Sequence, residues 1–403
     1  MNNLTNGLNI IGCSRIFIIV LSYLYCTVVS CSSTTDVGSE MVARDTLQID
    51  VNNVVDFLSL DDYIDSIEIV PLEESSSSPI GAITKVIYIN DHYVIVDREI
   101  TFKAFVFDKK GKYVKNLVET GQGPGECFQI NDCWINNKGD LQALDYASRQ
   151  IFTFNENLNL TEYIRYADNR YLSVSSLPGS DVILAASQYN LRNKMDNNRE
   201  YLLALVDTNF QFIKGYFPVP QNLTGASIMM GDGNFFRANN TVKYFRTFEN
   251  NIYNVDPKGN LSVDYHLAYS QKTLNLETFY NLVQKEGKNA SFATNKELFS
   301  YSFFYSGWSD LNRFISFYSI ADSKRFFTLY DKKNRKITSA YNIKATINNI
   351  DVMLPFLRFK TENLGYAVFN TVDEGVTETD LYKSALKGLP EGTFVLLKIT
   401  FKQ

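Results

Sequence analysis

One pattern returns five times between residues 104 and 337: an apolar strand ending in an acid or amide, a short polar turn, and a second strand. The copies run from Ala104 to Val114, Gln150 to Leu160, Leu203 to Phe212, Asn251 to Leu261 and Phe326 to Ile337. Each reads as a β-hairpin, with Asp, Asn or Gly where the turn needs positive φ. The turn residues Asp108, Asn155, Asp207, Asp256 and Asp331 are spaced 47, 52, 49 and 75 apart. A period of about 40–50 residues holding several short strands is the pattern of propeller blades. The long interval contains Leu274 to about Ser300, which lacks alternation and predicts a helical excursion on a loop.

The ends supply a sixth blade. Thr393 to Phe401 and Ile64 to Leu72 both read as strands, and a ring that pairs its first strand into its last blade leaves no frayed edge between the termini. The expected fold is all-β: a six-bladed β-propeller over 50–403, with a helical insertion in a late blade and closure by N- and C-terminal strands. Composition agrees. The 29 Phe and 25 Tyr against 2 Trp suit pleated, half-buried surfaces. The 45% apolar and 21% charged content excludes disorder for most of the chain. A formal charge of −5 provides no field for gripping phosphate backbones, so nucleic acid is not an expected partner.

The first thirty residues read as an address. Arg15 is their only charged side chain, and the run from Ile16 to Val29 is short of the ~20 residues that span a bilayer comfortably. It ends in Val28-Val29-Ser30-Cys31, which resembles a bacterial lipobox. The resemblance implies a signal peptide over 1–30, lipid attachment at Cys31, a polar tether over 31–49, and an outer-membrane lipoprotein facing the periplasm or the cell surface. An ordinary secretory signal or a short membrane anchor is the alternative. Cys13 and Cys26 would leave with the signal. Cys127 and Cys133 remain, either as a small-loop disulfide or as two small residues packed in a β core. A zinc site would want more sulfur or histidine nearby.

Gly121-Gln122-Gly123-Pro124-Gly125-Glu126 follows the first hairpin. A dinucleotide loop needs a strand before and a helix after it, and a P-loop needs Gly-Lys-Ser/Thr. Neither context is present, so the glycines are expected to make a tight crossing between blades. With the Gly139-Asp140 turn, Asp145 and Tyr146 to Ile151, this stretch resembles an NHL repeat. It is similar to the six-bladed propeller lipoproteins of Bacteroidetes. The Asp-to-Arg turn over 145–149 is repeated at Asp322-Ser323-Lys324-Arg325, and Asp97-Arg98 occupies the equivalent place one blade earlier. The resemblance implies that such acids and arginines mostly hold turns.

Propellers bind at the mouth of the central channel. The candidate ligand-binding residues are therefore Arg98, Asp145, Arg149 and Arg325, with Trp308 in the aromatic run from Tyr301 either a stacking platform or part of a buried blade strand. No catalytic or metal-binding residue is assigned, because His92 and His266 do not occupy equivalent blade positions. Calcium in the central channel is the one cofactor considered. The expected function is a lipid-anchored envelope module that binds a glycan, a peptide or an envelope protein. The alternative is a glycan- or peptide-acting hydrolase or lyase with its site at the channel mouth.

Overall fold

The computed structural model describes residues 41–74, 79–166, 171–186, 199–220, 235–238, 240–286, 296–347, 350–354, 357–361, 363–371 and 388–402. The expected signal segment 1–30 and the expected lipid-attachment residue Cys31 lie outside these residues. The described chain opens with three strands, β1 (Asp45–Ile49), β2 (Val55–Ser59) and β3 (Ile64–Pro71). Blade 1 follows as β4 (Lys85–Ile89), β5 (His92–Asp97), β6 (Lys103–Asp108) and β7 (Tyr113–Asn116). Blade 2 is β8 (Asp132–Ile135), β9 (Leu141–Asp145), β10 (Gln150–Phe154) and β11 (Leu160–Arg165). Blade 3 is β12 (Ser173–Ser176), β13 (Ile183–Ala186), β14 (Tyr201–Val206) and β15 (Phe212–Pro218). Blade 4 is β16 (Phe235–Ala238), β17 (Thr241–Tyr244), β18 (Asn251–Val255) and β19 (Leu261–Tyr269). Helix α1 (Leu276–Glu286) then precedes blade 5, which is β20 (Phe303–Asp310), β21 (Phe314–Ala321), β22 (Lys324–Asp331) and β23 (Lys336–Ile347). Strand β24 (Ile350–Leu354) folds back on the end of β23, and blade 6 is β25 (Leu357–Thr361), β26 (Leu364–Asn370) and β27 (Phe394–Phe401). The inner strands β4, β8, β12, β16, β20 and β25 touch in that order, which arranges the six sheets as a six-bladed propeller.

The expected closure is present. β27 lies between β26 and β3, and Leu397 faces Ile69 across the antiparallel ladder. This also explains why only five hairpins were legible: the outer strand of blade 6 comes from the other end of the chain. β1 and β2 go further than expected. β1 pairs parallel to β19 and β2 parallel to β23, each on the outer edge of its sheet. Residues 45–49 therefore belong to the ring and not to a tether. Leu47 and Ile49 are buried in the core of blades 4 and 5, and that burial outweighs the polar neighbourhood.

Each blade is buried on both faces, so its middle strands read as nearly continuous apolar runs. Val94, Val96, Ala104 and Val106 pack against Cys133, Leu141 and Phe152 of blade 2. The alternate residues Tyr93, Ile95, Phe105 and Phe107 pack against Tyr366 and Leu396 of blade 6. A one-residue slip in register would exchange these two sets.

The five repeated turns join the third and fourth strands of blades 1 to 5. Asp108 Oδ1 accepts N–H bonds from Lys110 (2.8 Å) and Lys112 (3.0 Å). Asn155, Asp207 and Asp256 each take the same pair of donors two and four residues on. The residue three after the acid has positive φ: Gly111 and Gly259, but also Leu158 (57°) and Phe210 (60°). The two non-glycines are nearly completely buried, which holds an αL backbone that such residues otherwise avoid.

Cys127 and Cys133 are free, buried thiols in the core between blades 1 and 2, so the disulfide alternative is not realised. Burial, reinforced by Asp145, pushes the Cys127 thiol up to about 12, and burial also raises that of Cys133. In protein beginning after Cys31, neither should react with a thiol dye at neutral pH until denaturant is added. Rapid labelling of the folded chain would contradict this packing.

Candidate functional site

Blades 1 to 5 are each entered at the inner strand and left at the fourth, and blade 6 is entered at β25. Turns between first and second and between third and fourth strands therefore share one face of the ring. Turns between second and third strands, and the crossings from blade to blade, share the other. We call these the hairpin face and the crossing face. Arg98, Arg149 and the residues around Arg325 all lie on turns of the crossing face, in blades 1, 2 and 5. The first two are on adjacent blades, whereas blade 5 lies opposite blade 2.

Asp97 and Asp145 end the second strands of blades 1 and 2 and are completely buried. Asp145 Oδ2 accepts N–H bonds from Phe128 (2.6 Å) and Gln129 (3.2 Å) in the incoming crossing. Its Oδ1 accepts from Ala147 and Ser148, both at 2.9 Å. Asp97 does the same with Gly81 and Ala82 on one side and Glu99 and Ile100 on the other. Both carboxylates are thus staples between a turn and a crossing, and Asp145 has no oxygen left for a ligand. Asp322 is not their counterpart. It sits with Ser323 in a tight turn with φ of 48° and 64°, is exposed, and leaves Arg325 inside β22 over the Tyr318 ring. Trp308 follows the buried-strand alternative and not the platform reading. It is 2% exposed and stacks on Phe317 at 5.4 Å, so it is core and offers no platform.

Burial alone would raise the Asp97 carboxyl. The donors from Ile100, Thr101, Ala82 and Gly81 outweigh it and hold the group below the ordinary 3.8. A depressed folded-state value contributes stability that is full above about 3.8 and lost as pH falls through the lowered value. The gap in unfolding midpoint between wild type and Asp97→Asn should be constant near neutrality and narrow only in strong acid. A gap that narrows between about pH 7 and 5 would contradict the assignment.

The glycine motif forms the crossing from blade 1 to blade 2. Cys127 N–H donates to Glu119 O and Gly121 N–H to Cys127 O, both at 2.9 Å. The loop wraps the Glu126 carboxylate, which accepts the Gly123 N–H at 2.7 Å, and a Cβ on Gly121 would overlap it. Beside it lies a cleft of about 390 Å³ lined by Gln122, Glu126, Phe128, Ser148, Gln150 and Arg165, among others. Phe128 leaves 58% of its surface exposed. Ser148 Oγ and Gln150 Oε1 are shielded from water without a hydrogen-bond partner among the described residues. Gln122 and Glu126 belong to the glycine motif and Ser148 and Gln150 to the stretch from Tyr146 to Ile151, whereas sequence reasoning does not single out Phe128 or Arg165. Phe128 is one of 29 phenylalanines, and only its place directly after the glycine motif and Cys127 distinguishes it.

Elsewhere the charges hold blades together. Lys85 at the start of β4 pairs with Asp132 at the start of β8 at 2.5 Å, and Asp132 Oδ2 accepts the Val174 N–H from β12. One carboxylate therefore ties three successive inner strands. The buried Arg246–Glu249 pair, with Arg246 4.4 Å from the Phe217 ring centroid, lies in the turn that α1 covers by stacking Phe279 on Phe248. His92 bonds to Asn90 O and His266 to the Asn251 side chain, on different blades. Among the described residues, no group of three or more His, Cys, Asp or Glu side chains gathers at metal-binding distance.

Residues 46–383 match the model of a family described as "Domain of unknown function (DUF4934)". No curated protein is matched by the sequence. Among solved structures, a Bacteroides fragilis protein named "Putative exported protein" is similar with a TM-score of 0.70 at 15% identity, over 89% of this chain and 100% of that one. A member of the duf4221 family from Bacteroides vulgatus has a TM-score of 0.47 at 8% identity, over 84% and 98%. Virginiamycin B lyase from Staphylococcus aureus has 0.37 at 10%, over 75% and 84%. The first of these likenesses is one of fold.

Proposed function

This chain belongs to the DUF4934 family, and on that premise we propose that it is a lipid-anchored, exported propeller whose crossing face binds a ligand or partner in the cell envelope. The difference between the two faces carries the binding reading. The hairpin face has short turns in blades 1 to 5 whose acids or amides are occupied by their own backbone N–H groups. The crossing face has the long segments, the cleft, and the exposed side chains of Ile100, Phe102 and Phe128. Exposed apolar side chains beside convergent polar groups are what binding surfaces provide. The anchoring reading is supported by the Cys31 context, and export alone by the name of the Bacteroides fragilis fold relative.

Two experiments test the two halves. Cells grown with labelled palmitate should label the wild type and not Cys31→Ala; an unlabelled wild type removes the anchor. A photo-crosslinking side chain at Phe102 should trap discrete adducts in cells, and one at Lys110 on the hairpin face should not. Equal trapping at both would end the assignment of the binding face.

A further inference from the structure

Resting on the assignment of the crossing face, we propose that the cleft between the glycine-motif crossing and the outer part of blade 2 is a binding site for a neutral sugar ring. Three properties of its walls select this chemistry. Phe128 presents a ring that is 58% exposed, although the apolar side chains around it in the crossing, Cys127 and Ile130, are both at 1%. A pyranose has an apolar C–H face of matching size, and an aromatic ring is the side chain that covers such a face without needing a polar partner.

The second property is the hydrogen-bonding set. Gln122 and Gln150 bring amides, Ser148 a hydroxyl, Glu126 a carboxylate and Arg165 a guanidinium. These groups supply both donors and acceptors, as a ring of hydroxyls requires, and the two charges cancel, which disfavours an ionic ligand. Ser148 Oγ and Gln150 Oε1 lack partners among the described residues. A rotation of either side chain toward a ligand hydroxyl gives such a group a partner.

The third property is rigidity. Asp145 bonds to the backbone N–H of both Phe128 and Ser148, so one buried carboxylate fixes the two sides of the cleft relative to each other. The volume of about 390 Å³ lies at the lower end of the ordinary range for small-molecule sites, roughly 300–1,000 Å³.

The test is saturation-transfer NMR on the full mature chain with methyl glycosides of glucose, galactose, mannose and N-acetylglucosamine, and with trialanine as the peptide probe. At least one glycoside should show transfer, strongest at ring C–H protons. Phe128→Ala should weaken its binding tenfold or more while the circular dichroism spectrum stays unchanged. Phe57→Ala, on the rim of blade 5, should leave it unaltered. Absence of transfer to every glycoside, or transfer indifferent to Phe128→Ala, overturns the sugar assignment. Trialanine binding that depends on Phe128 overturns it too, but leaves the crossing face as the binding face. The crosslinking comparison described above decides that broader reading independently.

Discussion

A chain ending at residue 392 should not accumulate as soluble, protease-resistant protein. Loss of β27 strips β26 and β3 of their common partner, because blade 6 is ordered β25-β26-β27-β3. It also removes Val395, Leu396, Leu397, Ile399 and Phe401, none more than 2% exposed. At about 1.5–3 kcal/mol per large apolar side chain, the loss is on the order of 8–15 kcal/mol. That matches the whole stability of an ordinary domain, about 5–15 kcal/mol. Deleting residues 32–40 instead should leave thermal stability unchanged. The deletion must stop short of Arg44, which pairs with Asp264 at 2.9 Å. A truncated chain that melts like the full one would replace the closed ring with an open array.

Asp145→Ala should cost about 3–5 kcal/mol in chemical denaturation, several times the effect of Asp108→Ala. Both acids accept backbone N–H bonds, so the difference is one of burial. The four donors to Asp145 are part-buried, and without the carboxylate they lose a charge-assisted partner worth about 1.5–3 kcal/mol each before relaxation. The turn at Asp108 is exposed, and water replaces its side chain for about 1 kcal/mol. Equal costs at the two positions would mean that Asp145 is a turn residue and no staple.

The blades were legible because their turns carry local chemistry. An acid or amide that bonds N–H groups two and four residues on leaves a mark at a fixed offset, and it did so in four of the repeats. The insertion was legible as a break in alternation. β1 was not, since five residues with two buried side chains among polar neighbours are a weak periodic signal. Rarity makes Trp308, one of only two tryptophans, a candidate platform, yet it lies between Tyr265 and Phe317 in the buried strand that the sequence equally allows. The candidate site was half legible. Asp145, Arg149 and the glycine motif lie on or beside it, with Asp145 acting as a positioning residue. Phe128 and Arg165 were hidden because exposure of one phenylalanine among many depends on tertiary packing alone.

The strands at the chain's beginning have a consequence for the order of events. β1, β2 and β3 find their partners in blades 4, 5 and 6, and cross-links along this belt span 221 residues at Arg44–Tyr265, 286 at Asp56–Asn342 and 330 at Glu68–Lys398. Closing such loops adds little thermodynamic cost, because each doubling of length adds only about 0.6 kcal/mol. It is kinetically slow, however, since no contact rewards the chain until distant blades exist. These early strands of the described chain are thus seated late, and they wait as unpaired β segments that invite self-association. Between Asp45 and Pro71 the chain carries Asp45, Asp50, Asp56, Asp61, Asp62, Asp65 and Glu68 and not one Lys or Arg. Two waiting copies repel each other along their whole length, whereas the edges they are destined for, parallel at β23 and antiparallel at β27, carry lysines such as Lys344 and Lys398. The belt's charge is therefore a safeguard of the unfinished molecule, needed in the interval before the ring shuts.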